Sequence, residues 1–219
     1  MLITELAKEI HENAVAHGWW EDKRKAPEIL ALIHSEWSEA LEEARADRPL
    51  VWYDIYDNGD DCGGGGRCGA HVDSGICHGR NGKCERNHKP EGVAVELIDG
   101  CIRILDYIGK LNTEVDDLDA EIKSIGFDDV SLEIEAFYSD KIADSVYDDL
   151  PELIAWLHLH TANCLTVSEE CDAVLIVALF MPLMQAMGWV KKQGIDPLAL
   201  LLEKHEYNKT RPYKHGKKF

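Results

Sequence analysis

Basic side chains are scarce in this sequence: 23 Lys and Arg stand against 41 Asp and Glu among 219 residues, a formal net charge of −18. That deficit removes the electrostatic reason for lying along nucleic-acid polymers or anionic lipid, since such binding depends on many cations displacing counterions. No nucleic-acid polymer and no membrane are therefore expected as partners. Long apolar runs are missing too. The most apolar stretch, Ala173 to Met184, is shorter than the ~18 residues a bilayer span needs, and is read as a buried core helix. The N-terminal MLITELAKEIHENAV is interrupted by Glu5, Lys8, Glu9 and Glu12, unlike the unbroken apolar region of a signal peptide. Seven cysteines, an odd number without an export pattern, point to reduced thiols or a metal and not to a disulfide framework. The expected localisation is cytoplasmic. Period-two alternation is nearly absent, so the expected fold class is all-α.

What is present is helical spacing. Leu2, Leu6, Ile10 and Ala14 form one helix face over residues 2–17, closed by Gly18. A second helix is expected from Pro27, suited to a first helical turn, to about Ala46. Further helices are expected over 92–109, 151–167, 168–190 and 197–208, within one domain covering 1–219. Two segments break the pattern. Residues 51–90 form a Gly- and Cys-rich inserted loop with room for a small hairpin, and 111–149 form an acidic connector with short helices.

Two of these helices resemble each other. Pro27-Glu-Ile-Leu-Ala-Leu-Ile-His34 and Pro151-Glu-Leu-Ile-Ala-Trp-Leu-His158 agree at Pro, Glu, Ala and His, with apolar residues between. Continued, that register sets Glu36 against His160 and Glu39 against Asn163; on the following helices it sets Glu96 against Leu175, Asp99 against Ala178 and Gly109 against Gly188. Either two amphipathic helices agree by chance, or a duplicated helix pair builds a four-helix-bundle core in which the second pair has lost its acids. Because an uncompensated buried charge costs several kcal/mol, the pair that keeps its acids is the candidate site.

Glu36, Glu39 and Glu43 share one face of the first helix; Glu96, Asp99 and Asp106 are spaced comparably on the second. On an acidic chain such spacing also describes a solvated face. Glu96 and Asp99, however, lie inside AVELIDGCIRIL, which leaves almost no solvent-facing side. A buried carboxylate pair without basic neighbours implies a cation, and oxygen-only donors suit Mg²⁺.

Glu36-x-x-Glu39 followed by Glu96-x-x-Asp99 resembles the motif of the MazG-like, all-α nucleoside triphosphate pyrophosphohydrolases. HENAVAHGWW, LIHSEWSEALEE, KPEGVAVELIDGCIRILDYIG and EKHEYNKTRPYKHGKK occur in the order of the phage and bacterial branch. The resemblance implies hydrolysis between the α- and β-phosphates of a nucleoside triphosphate. Glu36, Glu39, Glu96 and Asp99 would hold Mg²⁺, with Mn²⁺ as substitute; Glu39, with Glu36, would serve the attacking water. It also implies phosphate contacts from Lys204, Asn208 and Arg211, and association as a homodimer. Two departures stand out: the long 51–90 insert, and Gly100 in a place often held by Val, a change expected to matter little.

Trp19, Trp20 and Trp37 are candidates for stacking on a base, although a Trp among helical apolar positions more often belongs to a core. His34, matched by His158, is expected to hydrogen-bond structurally. Cys62, Cys68, Cys77 and Cys84, with His71, His78 and His88 nearby, could hold a structural Zn²⁺, or belong to a flexible loop with incidental thiols. The competing function is a non-catalytic MazG-like protein docking a partner through a zinc-stapled insert.

Overall fold

Apolar residues at helical spacing set the layout of the computed structural model, which describes residues 1–54, 89–113, 115, 117–126, 131–169 and 171–216. The described part is mostly helical, in keeping with the all-α expectation. Its helices are α1 (Ile3–Ala16), α2 (Ala26–Arg45), α3 (Val93–Asn112), α4 (Leu118–Ser124), α5 (Asp140–Ser145), α6 (Leu150–Val167), α7 (Asp172–Lys192) and α8 (Pro197–Lys209). Cys62, Cys68, Cys77 and Cys84, and with them the zinc reading, lie outside the described residues.

Helix α3 is buried on nearly every side, from Val93 through Ile98, Cys101 and Ile104 to Ile108, because α1, α2, α7 and α8 all pack on it. Helix α2 carries Pro27 in its first turn and buries Ile29, Leu30, Ile33 and Trp37 toward α3 and α6. Asp149 and Asp196 cap α6 and α8 by accepting from the backbone N–H of Glu152 (3.2 Å) and of Leu198 and Ala199 (3.0 and 3.2 Å), each contact contributing ~1 kcal/mol. Helix α7 is long and apolar enough to cross a membrane by length and composition alone, but about two thirds of its most apolar window is buried inside the protein.

Helix α2 packs on α3 and α6 on α7, while α2 meets α6 and α3 meets α7. The outer helices repeat the scheme: α1 lies on α3 and α5 on α7. Matched glycines permit both approaches. A Cβ at Gly109 would sit 2.4 Å from the Ala7 carbonyl oxygen, and one at Gly188 would sit 2.8 Å from the Ile142 side chain. Where α2 crosses α6, matched positions touch: the Nδ1 atoms of His34 and His158 lie 2.8 Å apart with the rings stacked, and Trp37 Nε1 donates to Thr161 Oγ1 at 2.9 Å.

The insert carries the small hairpin it had room for, while one other feature departs from expectation. The hairpin sits at the base of the insert: β1 (Trp52–Asp54) and β2 (Lys89–Glu91) pair antiparallel, with Trp52 opposite Glu91 and Tyr53 opposite Pro90. Gly100 is not a neutral replacement for Val. Its missing side chain makes room for Trp37, whose ring would lie 2.2 Å from a Cβ there.

Candidate metal centre

Glu36 and Glu39 leave α2 one turn apart, and Glu96 stands in the first turn of α3, where the helix dipole favours a carboxylate. One oxygen from each lies within 4.8 Å of the others. Glu36 and Glu96 are 5% and 6% exposed, whereas Glu39 opens to solvent. The triad thus has two buried members and one at its mouth.

Basic neighbours, expected to be absent, are present. Arg103 Nε donates to Glu36, and Lys89 pairs with Glu91. Lys204 is 0% exposed; its Nζ donates to the Pro90 carbonyl at 2.9 Å and pairs with Asp99 Oδ2 at 2.9 Å. Two assignments change accordingly. Asp99 stands outside the three-carboxylate cluster, held by Lys204, and Lys204 is an internal anchor instead of a phosphate contact. Glu43 and Asp106 are also engaged elsewhere: Glu43 accepts from Trp52 Nε1 at 2.8 Å, and Asp106 interacts with His11 Nδ1 at 2.8 Å and accepts from Trp20 Nε1 at 2.9 Å.

Carboxylates still crowd the region: Glu36, Glu39, Glu91, Glu96 and Asp99 lie near Lys89, Arg103 and Lys204, and Arg211 is close enough to act on Lys89. The strain appears in proton affinity. Burial, then the charge of Asp99, pushes Glu96 up to about 9, and Glu91 shares a hydrogen bond with it that requires a proton between the two carboxyls. Burial also raises Glu36, opposed by Arg103 and assisted by the charges of Asp99 and Glu39. Glu36, Glu39 and Glu96 thus form an all-oxygen donor set, two members buried and one open to solvent, that could hold a metal ion.

Beside Asp99 a cleft of about 100 Å³ opens between α1, α3 and α8. Arg24, Arg103 and Arg211 line it together with Asp106 and Asn208, whose Oδ1 is buried without a hydrogen-bond partner. Trp19 forms part of its wall, with the Arg24 guanidinium 5.3 Å from the ring centroid. Of the tryptophans proposed for stacking, Trp37 is 0% exposed and bound to Thr161, so it has no face for a base; Trp20 is held by Asp106. Asn208 and Arg211 do reach the cleft, without Lys204.

Arg103, Glu91 and Arg24 were not singled out from sequence. Arg103 lies one turn beyond Asp99 in the same apolar stretch that implied burial, and that argument applied equally to it. Lys204 follows Leu200 by four residues on the buried stripe of α8, a signal of burial that its charge obscured. No family model, no curated protein and no solved structure matches the chain.

Proposed function

We propose that the protein is a Mg²⁺-dependent nucleoside triphosphate pyrophosphohydrolase, converting (deoxy)nucleoside triphosphates to monophosphate and pyrophosphate. One observation carries this reading: two buried glutamates from different helices converge with Glu39 within 4.8 Å, beside a cleft lined by three arginines. The ordered motif blocks add the resemblance to the MazG-like family. The finer architecture belongs to the same proposal: α2–α3 and α6–α7 form a four-helix bundle from a duplicated pair, supported by the matched contacts of His34 with His158 and Trp37 with Thr161.

Glu36, Glu39 and Glu96 would hold the cation, with Asp99 beside them. When bound, Mg²⁺ supplies charge neutralisation of phosphate oxygens and acidifies water; Mn²⁺ has the same oxygen preference. Glu39, the solvent-facing member, accepts the proton of the attacking water. Attack at the α-phosphorus forms the new P–O bond and breaks the bond to the α–β bridging oxygen, which leaves with pyrophosphate. Arg24, Arg103 and Arg211 meet phosphate charge from the cleft side, and buried Lys204 keeps Asp99 in place.

Chromatographic product analysis with Mg²⁺ and a panel of NTPs and dNTPs tests the reading. Equimolar monophosphate and pyrophosphate are expected from the wild type. Glu39→Gln and the double change Glu96→Gln, Asp99→Asn are expected to lose at least ~10²-fold in turnover. Turnover that survives both variants in folded protein overturns the assignment.

A further inference from the structure

Arg103 occupies an unusual position between the carboxylate cluster and the cleft. It stands on α3 between Asp99 and Asp106, its Nε donates to Glu36, and its side chain, 29% exposed, lines the cleft with Arg24 and Arg211. Glu36 belongs to the three-carboxylate cluster and is too buried to turn toward water. A divalent cation held by that cluster would therefore contend with Arg103 for the same carboxylate.

We infer that Arg103 competes with the divalent cation for Glu36 and transfers to a substrate phosphate once the cation is bound, so that cation and nucleotide each promote binding of the other. This rests on the pyrophosphohydrolase reading and concerns how its site is loaded. A divalent cation at Glu36 drains charge from the carboxylate and repels the guanidinium beside it. Asp99 and Asp106 attract the guanidinium as well, but Asp99 is paired with Lys204 and Asp106 is bound to His11 and Trp20, so each is already partly neutralised. A phosphate in the cleft supplies a fresh anion whose geometry matches the guanidinium fork. Lys204 cannot exchange in this way, because it is fully buried between Asp99 and the Pro90 carbonyl. By linkage, whatever factor the nucleotide adds to cation affinity, the cation adds to nucleotide affinity.

The test measures binding without turnover. Mn²⁺ affinity is determined for wild type and Arg103→Gln by calorimetry and by Mn²⁺ electron paramagnetic resonance, with and without an α,β-imido nucleoside triphosphate. Removal of the competitor is expected to tighten Mn²⁺ about tenfold without nucleotide, and to weaken the analogue about tenfold in the presence of Mn²⁺. The mutual enhancement seen in wild type should shrink in the variant. Mn²⁺ affinity that is unchanged or weaker in folded Arg103→Gln overturns the inference and makes Arg103 a buttress for Glu36, leaving the metal reading intact. Should Arg103→Gln fail to fold, Arg103→Lys carries the test, with Mn²⁺ expected roughly threefold tighter through loss of the planar fork; an unchanged value overturns the inference. Wild type that binds no Mn²⁺ overturns both this inference and the reading beneath it.

Discussion

The two helix pairs share a register but not a chemistry. In the first, Glu36 and Glu96 are buried beside Arg103 and Asp99; in the second, the matched positions are half-buried His160, stacked against Trp156, and fully apolar Leu175. Arg103 is matched by Pro182, which is buried inside α7. Volume is exchanged as well: Trp37 fills the space left by Gly100, while the matched positions hold small Thr161 and large Leu179. The charged pair draws its counter-cations from several elements: Arg103 on α3, Lys89 on β2 and Lys204 on α8.

The largest expected effect comes from forcing the second pair to resemble the first. Leu175→Glu would bury a carboxylate where the matched position for Arg103 is a proline, and should cost ~3–5 kcal/mol, read as a lower urea midpoint. A loss below ~1 kcal/mol would show that this half tolerates charge and would break the comparison. Next comes the volume exchange. Gly100→Val should cost ~2–3 kcal/mol because its Cβ collides with Trp37, and combination with Trp37→Leu should recover part of that loss. Strictly additive costs would mean that the two positions do not share space.

A third effect separates the halves by pH. Glu96 in the folded protein titrates at about 9, above its ordinary 4.5, so between those values the folded state holds more protons than the unfolded one. Stability should therefore fall as pH rises from about 4.5 to about 9 without divalent cation, and Mg²⁺ should restore several degrees of Tm, most at the alkaline end. Glu96→Gln should flatten both dependences; a Mg²⁺ response that persists unchanged would remove Glu96 from the centre. The smallest effect lies where the halves touch. Burial lowers the proton affinity of His34 and His158, and the charge of His158 also opposes protonation of His34. Their contribution is complete above about 6.5 and lost as pH falls through the lowered values, so His34→Gln should reduce acid sensitivity by ~1 kcal/mol or less in denaturant titrations.

Much of this comparison was legible in the sequence. Apolar spacing located α1, α2, α3, α6, α7 and α8, and His34, expected to hydrogen-bond structurally, does so, although its partner His158 was not foreseen. Convergence of Glu36, Glu39 and Glu96 was also foreseen. What escaped were contacts made by side chains whose charge suggests solvent. Lys204 reaches Asp99 from a helix more than a hundred residues away, and Arg103 crosses from α3 to Glu36 on α2. No local period encodes such pairings. A small hairpin was allowed for in the 51–90 insert, but not its place at Trp52–Asp54 and Lys89–Glu91: three residues are too few to display alternation, and β2 includes Pro90.

That short ribbon has a consequence for how the protein can change over evolutionary time. The chain leaves the site region at Asp54 and returns at Lys89 as paired neighbours, with the Pro90 carbonyl clasped by Lys204. Antiparallel partners stand only ~5 Å apart, so the sequence between them can be lengthened, shortened or exchanged without altering the span the ribbon must bridge. The ribbon is a natural splice point, through which a lineage can acquire new recognition sequence while inheriting the carboxylate centre intact.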